Sequence, residues 1–407
     1  MSIKRFGAAA AVFAAAALLP AAASAAGNPQ VVRVDPTTGA AKTLAGGAPF
    51  THLGGLAFGP SGTLYVANQG PVGPSPRGAG IYSLAAPAFA ITPFAASAPT
   101  SDPAAVVASG TTLYSLDGDR VLAVDTVTGA QQVLSSGGLY DQLGVDPAFG
   151  AVSGRTLYTT ASTTCASAEG GGAYVIAVDT VTGDQSLVKR FGCRALGGIA
   201  TTPGGPLVVA VGGSVVELDP ATGASSTLSS GGALKSPQGL ALDASGDVIV
   251  ADAKSGVVAV APGGDQSPYT APGAIVGASG VAVGADGGIY VAEAGPAPGL
   301  KATAASRQRF RRSGIALTLR PSRSATVSYT AAITIAGRQG FAKSAAFKGV
   351  EGRRAVRIKL PGQVNDRIAR ALRQGRKVTA KLTVRPQDAR SGSVGKATVL
   401  RVRLVSA

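Results

Sequence analysis

The chain has 407 residues, a formal net charge of +16, one histidine, two cysteines and no tryptophan. That length suffices for two domains with full cores. No Ser/His/Asp or Cys/His set suited to nucleophilic catalysis can be assembled around the single histidine. The lack of tryptophan, with aromatics at 5%, argues against a sugar-stacking surface.

Residues 1–25 carry Lys4 and Arg5, an apolar Ala/Leu/Phe run to Leu19, and then Ala23-Ser24-Ala25. This is the pattern of a signal peptide, and its apolar run is too short to span a bilayer. Every later apolar run is broken by Gly, Ser or charge. The expectation is a secreted or periplasmic/cell-surface protein with no transmembrane segment.

Residues 31–39 read V-V-R-V-D-P-T-T-G, a strand followed by a turn with Asp and Gly at fixed offsets. Asp bonds its own backbone in such turns, and Gly accepts positive φ. Residues 53–68 read L-G-G-L-A-F-G-P-S-G-T-L-Y-V-A-N, two short apolar strands joined by a tight turn. This second unit recurs at residues 237–252 and 278–293, again at 195–211, and more weakly at 102–117 and 141–161. The first unit recurs at 121–129, 175–183 and 215–223, and worn down at 257–264. Together they form a repeat of four strands, A to D, over about 45 residues, the period of a propeller blade. The last A–B pair, ending at Glu293, has no C–D pair after it, and residues 31–39 have no A–B pair before them. A closed ring leaves no edge unpaired. Strands from the two ends should therefore share the sixth blade.

Cys165 and Cys193 fall in the third blade. In an oxidising compartment the pair reads most simply as a disulfide, worth about 3–4 kcal/mol; two free buried thiols are the other reading.

Residues 26–300 carry 10 Lys/Arg and 18 Asp/Glu, whereas residues 301–407 carry 25 and 3. An acidic propeller is thus joined to a very basic domain. Residues 295–306, rich in Gly, Pro and Ala, read as a linker. From residue 307 to 407 the periodicity is two. Ile315, Leu317 and Leu319 alternate with polar or small residues, as do Val356 and Ile358, Val378 to Val384, and Leu400 to Leu404. Residues 326–335 and 341–347 read as further strands. Val364, Ile368 and Leu372 mark one short helix stopped by Gly375. The expected fold is all-β: a six-bladed β-propeller over residues 28–294 and a small C-terminal β-sandwich of six or seven strands with one short helix.

The motif G-[LIV]-A-x4-G-x-[LI]-[YV]-V-A-[DNE] resembles that of the six-bladed propellers of the NHL-repeat and regucalcin/gluconolactonase-like group. The Arg-rich second domain resembles C-terminal sandwich modules of secreted actinobacterial proteins. The first resemblance implies a propeller, and it implies activity only where a site is present.

Propeller geometry puts the A–B and C–D connections on one face and the B–C and D–A connections on the other. The first face has only tight turns. The second carries long loops at residues 69–79 and 162–172, where function concentrates. Strand B ends there on Asn68, Asp117, Asp252 and Glu293, and the approach to strand A carries His52, Asp102 and Asp141. These seven are the candidate binding residues, with no catalytic set among them. Oxygen ligands in several blades could hold a divalent cation such as Ca2+. The regucalcin/gluconolactonase-like resemblance implies a Glu, an Asn and an Asp around such a metal; Asn68, Asp252 and Glu293 match in type and not in blade position. The other reading is that these side chains bind backbone in the next turn. The favoured function is a non-catalytic, monomeric propeller protein binding a ligand or envelope component. Its basic domain would serve polyanions such as teichoic acid, lipid headgroups, lipopolysaccharide or nucleic acid read without sequence specificity. The alternative is a metal-dependent hydrolase or lactonase.

Overall fold

The structure is a computed structural model. It describes residues 29–70, 78–95, 102–163, 172–294, 300–321, 325–350, 352–388 and 395–406. The expected signal peptide and Cys165 lie outside these residues.

The chain begins with β1 (Gln30–Val34) and β2 (Ala41–Gly46). Blade 1 follows as β3 (His52–Phe58), β4 (Leu64–Gln69), β5 (Gly80–Ala85) and β6 (Ala90–Phe94). Blade 2 is β7 (Pro103–Ser109), β8 (Thr112–Asp117), β9 (Arg120–Asp125) and β10 (Gln131–Ser136). After the short helix α1 (Leu139–Leu143), blade 3 is β11 (Asp146–Ser153), β12 (Thr156–Ser162), β13 (Ala173–Asp179) and β14 (Gln185–Gly192). Blade 4 is β15 (Leu196–Thr201), β16 (Leu207–Val211), β17 (Ser214–Leu218) and β18 (Ser225–Ser230). Blade 5 is β19 (Pro237–Leu242), β20 (Val248–Asp252), β21 (Gly256–Val260) and β22 (Gln266–Pro268). Blade 6 takes β23 (Ala278–Val283) and β24 (Ile289–Glu293) from this end of the propeller and β1 and β2 from the other, in the order β2-β1-β24-β23. Each sheet has four antiparallel strands, as the repeat requires.

The inner strands pack in sequence, β3 on β7, β7 on β11, and so on to β23, which returns to β3 and closes the ring. Small residues allow this approach. A Cβ at Gly54 would overlap the Ala104 carbonyl oxygen, and one at Gly239 would lie 2.7 Å from the Gly280 Cα. Strands B are largely buried, and β16, β20 and β24 wholly so, because sheets cover both their faces, which explains apolar runs such as Val248-Ile249-Val250-Ala251. Strands D lie at the rim and are mostly exposed, as in Ser225–Ser230.

The second domain is a β-sandwich. Its strands are β25 (Leu300–Thr303), β26 (Arg307–Arg309), β27 (Ile315–Pro321), β28 (Ala325–Ile335), β29 (Arg338–Val350), β30 (Arg354–Ile358), β31 (Val378–Asp388) and β32 (Thr398–Val405), with helix α2 (Gly362–Arg373) between β30 and β31. A three-stranded sheet, β25-β27-β30, faces a five-stranded one, β26-β32-β31-β28-β29. One core joins them, including Leu317, Ile333, Ile358, Ile368, Leu382 and Leu404. The propeller clusters use residues no later than Ala292, so the two cores are separate.

Two expectations need correction. The sandwich has eight strands and not six or seven, because the short β25 and β26 join the sheets at their edges. Residues 300–303, read as linker, form β25, paired with β27 from Leu300↔Pro321 to Thr303↔Thr318. Ala302 is its only buried residue, so a two-residue apolar rhythm is barely visible there.

Candidate functional site at the loop face

Asn68, one residue before the end of β4, and Asp117, Asp252 and Glu293, the last residues of β8, β20 and β24, lie at the rim where the B–C and D–A connections emerge. All four are buried to 1% exposure or less. Each accepts a hydrogen bond from the backbone of the segment leading into strand A of its own blade. The Asn68 Oδ1 takes the Thr51 and His52 N–H at 2.9 and 3.2 Å. The Asp117 Oδ1 takes the Asp102 N–H at 2.8 Å. The Asp252 Oδ2 takes those of Lys235 and Ser236 at 2.7 and 2.6 Å, and the Glu293 Oε1 takes that of Val276 at 2.7 Å.

The remaining polar atoms explain why the residue type changes between blades. The Asp252 Oδ1 accepts the N–H groups of Lys254 and Ser255, both at 2.9 Å. Four donors surround this side chain, so an acceptor-only group fits. Asn68 instead donates from Nδ2 to the carbonyls of Pro49, at 3.3 Å, and Gly78. A carboxylate there would meet two carbonyl oxygens. Glu293 reaches further and takes the Gln30 Nε2 at 2.5 Å, tying together strands from opposite ends of the propeller.

The other candidates fall into two groups. His52 is latched to Asn68 through its backbone. The Asp102 Oδ1 accepts the Gly70 N–H at 3.0 Å, joining blade 1 to blade 2. Asp141 is the exception. It does not sit at the start of strand A, which in blade 3 begins at Asp146, but is exposed on α1. Gly138 and Gly144, at φ 61 and 60, bracket this turn and drive Tyr140 inward. The Tyr140 hydroxyl meets the Thr159 Oγ1 at 2.9 Å. Burial pushes the phenol up to about 12 against the opposing pull of that bond. In blade 3 the strand-B residue in the register position of Asp117 is Ala161, and the buried Tyr140 shares its apolar cluster where other blades have a polar latch.

The structure therefore brings His52 to Asn68 and Asp102 to Asp117, while Asp252 and Glu293 serve separate blades. Asn68, Asp252 and Glu293 do not fit a shared divalent cation, because their oxygens already accept protein N–H groups. Among the described residues no three of His, Cys, Asp and Glu gather as a metal-holding group. Most of the two long loops, residues 71–77 and 164–171, lies outside the described residues, as does the Cys165 half of the expected disulfide.

A further set of side chains escaped the sequence reading. Gln131, Gln185 and Gln266 open strand D of blades 2, 3 and 5 and clasp the preceding blade. Gln185 accepts the Leu139 N–H at 2.7 Å and donates to the Gly137 carbonyl at 3.1 Å. Gln266 accepts the Ala233 N–H at 2.7 Å, and Gln131 donates to the Ala95 carbonyl at 2.7 Å. The signal was a Gln two residues after the turn glycine, in T-G-A-Q, T-G-D-Q and G-G-D-Q.

On the opposite face, Asp35, Asp125, Asp179 and Asp219 each cap their own D-x-x-T turn. The Asp125 Oδ1 accepts the Thr128 N–H at 2.7 Å, the Val127 N–H at 2.9 Å and the Thr128 hydroxyl at 2.9 Å. Bonds from the following Thr, backbone and hydroxyl, hold Asp35 and Asp125 below the usual carboxylate value. The Thr182 N–H does so first for Asp179, and the Thr222 hydroxyl first for Asp219.

In the second domain an open cleft of about 810 Å³ lies beside β26, with Arg309, Arg311 and Arg357 on its walls. Gln308 fixes one side, donating to the Ala316 carbonyl at 2.7 Å and accepting its N–H at 3.0 Å.

No protein-family model matches this chain, and no curated protein does. Similar solved structures include a regucalcin, described as a calcium-binding protein, from Agrobacterium tumefaciens, with 16% identity and a TM-score of 0.44 over 61% of this chain and 92% of that one. A gluconolactonase from Xanthomonas campestris gives 14% and 0.47 over 68% and 99%. The extracellular domain of a putative hybrid two-component system from B. thetaiotaomicron gives 11% and 0.38 over 88% of this chain and 56% of that one. The class that fold and site define is a six-bladed β-propeller with backbone-latching rim side chains, followed by a basic β-sandwich.

Proposed function

We propose that this is an exported, non-catalytic binding protein, its propeller presenting the loop face to a ligand or envelope component and its basic sandwich engaging polyanions. The observation that supports this reading is the use of the rim acceptors. Asn68, Asp117, Asp252 and Glu293 all spend side-chain oxygens on the backbone that enters strand A, so they hold the loops in place. Ligand contacts then fall to the loops themselves. The N-terminal signal pattern is the basis for export.

The second reading, a metal-dependent hydrolase or lactonase using Ca2+ or a similar cation, accompanies the resemblance to the regucalcin/gluconolactonase-like group. It requires ligands other than the latched trio. Elemental analysis of the purified protein, melts in EDTA and Ca2+, and a lactone-hydrolysis assay separate the two. The binding reading expects no stoichiometric metal and a melt indifferent to both additions. One metal per chain with a large calcium-dependent rise in Tm, or lactone turnover abolished by EDTA, would overturn it.

A further inference from the structure

The five-stranded sheet of the sandwich has one face in the core and one in water. Val378, Ala380, Leu382, Val384, Val402 and Leu404 point inward. The alternate residues face out, and on three neighbouring strands many of them are basic. Lys381 and Arg385 are exposed on β31, Arg401 and Arg403 on β32, and Arg307 and Arg309 on β26.

Register arranges them as a staircase. Lys381 lies directly opposite Arg401. Arg403 follows two residues along β32 and lies beside Arg307. Arg309 follows two residues along β26 and opens onto the arginine-lined cleft. Each crossing between strands spans about 4.8 Å and each two-residue step about 6.8 Å. From Lys381 to Arg309 the line runs about 17 Å diagonally, and Arg385 extends it to about 29 Å. The neighbouring strand β28 contributes only uncharged residues to the same face, Thr326, Ser328, Thr330, Ala332 and Thr334. The charge is therefore a stripe and not a field.

None of the six cations takes part in an ion pair among the described residues; Asp366, on α2, pairs with Arg312 at 2.6 Å. Like charges directly opposite on neighbouring strands destabilise a sheet. Two such juxtapositions, Lys381 with Arg401 and Arg307 with Arg403, are relieved when an anion lies over them.

We propose that this stripe is the docking track of a linear, base-free phosphate polymer. The proposal deepens, and rests on, the reading of the sandwich as a polyanion-binding domain. Linearity follows from the width of one side chain, since a planar lipid surface would be met by cations spread over the whole face. Phosphate follows from five arginines among six cations, whose planar forks match phosphate oxygens. The absence of bases follows from the aromatics. All four in residues 301–407, Phe310, Tyr329, Phe341 and Phe347, pack in or against the core, leaving no platform on which bases could stack.

The test uses the full-length protein with labelled long-chain inorganic polyphosphate, phosphatidylglycerol vesicles and oligothymidylate, compared at equal phosphate concentration. Arg401→Thr with Arg403→Thr is expected to weaken polyphosphate binding at least tenfold and to reduce its log–log salt slope by about 1.4. Arg370→Gln with Arg373→Gln, removing the same charge from α2, is expected to change it less than twofold. The stripe variant should melt at or above the wild-type temperature at low salt, because repulsion is removed. Lys381→Thr offers a milder substitution with the same expected direction in binding and melting. Equal weakening by both pairs, or tighter binding to vesicles or oligothymidylate, would overturn the track while leaving the domain a polyanion binder. Failure of the wild-type protein to bind any of the three at low salt would overturn the domain reading as well.

Discussion

The role of the rim residues can be tested at Asp252. Its carboxylate is fully buried and accepts four backbone N–H bonds, two from residues 235 and 236 before strand A and two from residues 254 and 255 after strand B. Asp252→Ala would leave four donors without their acceptor in a place shaped around a negative charge. Bonds to a charged group are worth about 1.5–3 kcal/mol each, and water at the rim recovers part of that loss. Dismantling such a buried charged network costs about 3–5 kcal/mol. For a domain of this size, that corresponds to a fall in Tm of roughly 6–20 °C. Asp252→Asn keeps one oxygen and turns an NH2 group toward two donors, so it should lose about 2 kcal/mol. Thermal and guanidinium unfolding of the propeller transition, with and without EDTA, would measure both. If Asp252→Ala melts with the wild-type protein, the carboxylate is not a latch and its burial needs another explanation. If EDTA reproduces the loss, the acceptor was serving a metal.

Asn68→Asp should destabilise in the reverse sense, by about 1–3 kcal/mol, because a carboxylate would face the Pro49 and Gly78 carbonyls; chemical denaturation reads this directly, and an unchanged midpoint refutes it. Deleting residues 30–46 removes β1 and β2 and uncovers the edge of β24, so cooperative unfolding of the propeller should vanish while the sandwich still unfolds separately. A propeller transition surviving at the wild-type midpoint would contradict the shared sixth blade. The four turn aspartates have folded pKa values depressed below 3.8. Their stabilisation is present above that value and fades as pH falls through the lower folded values. Replacing all four with Asn should flatten the acid limb of a Tm–pH profile below about pH 4 while preserving the neutral plateau shape; an unaltered acid limb would refute it.

How much of this could be read beforehand depended on how densely a feature was marked. The blades were legible because Gly62, Gly246 and Gly287 punctuate matching A–B units, and the shared sixth blade followed from a unit missing at each end. The sandwich strands were legible because half-buried strands alternate, as from Val378 to Val384. Strand β25 was not, since a single buried alanine gives no period. Helix α1 was missed because five residues cannot establish a 3.6-residue repeat, which misplaced Asp141. At the rim, the sequence showed the right side chains but left both readings of them open. Distinguishing a latch from a ligand requires knowing which donors lie within 3 Å, and those belong to residues 15 to 17 positions away. The glutamine clasps were legible only after their partners in the preceding blade were known.

The bond between Gln30 and Glu293 spans 263 positions of chain. During synthesis, β1 and β2 can pair with each other at once, whereas the β1–β24 pairing that completes the sixth blade must form last. Until β24 arrives, their apolar residues Val31, Val32 and Val34 have no lasting place to pack. Contacts of such long sequence separation form slowly, so the segment stays unsatisfied while the intervening blades are made. The opening strands are thus where a holding chaperone would have most to protect, and where an impatient protease would find its earliest opportunity.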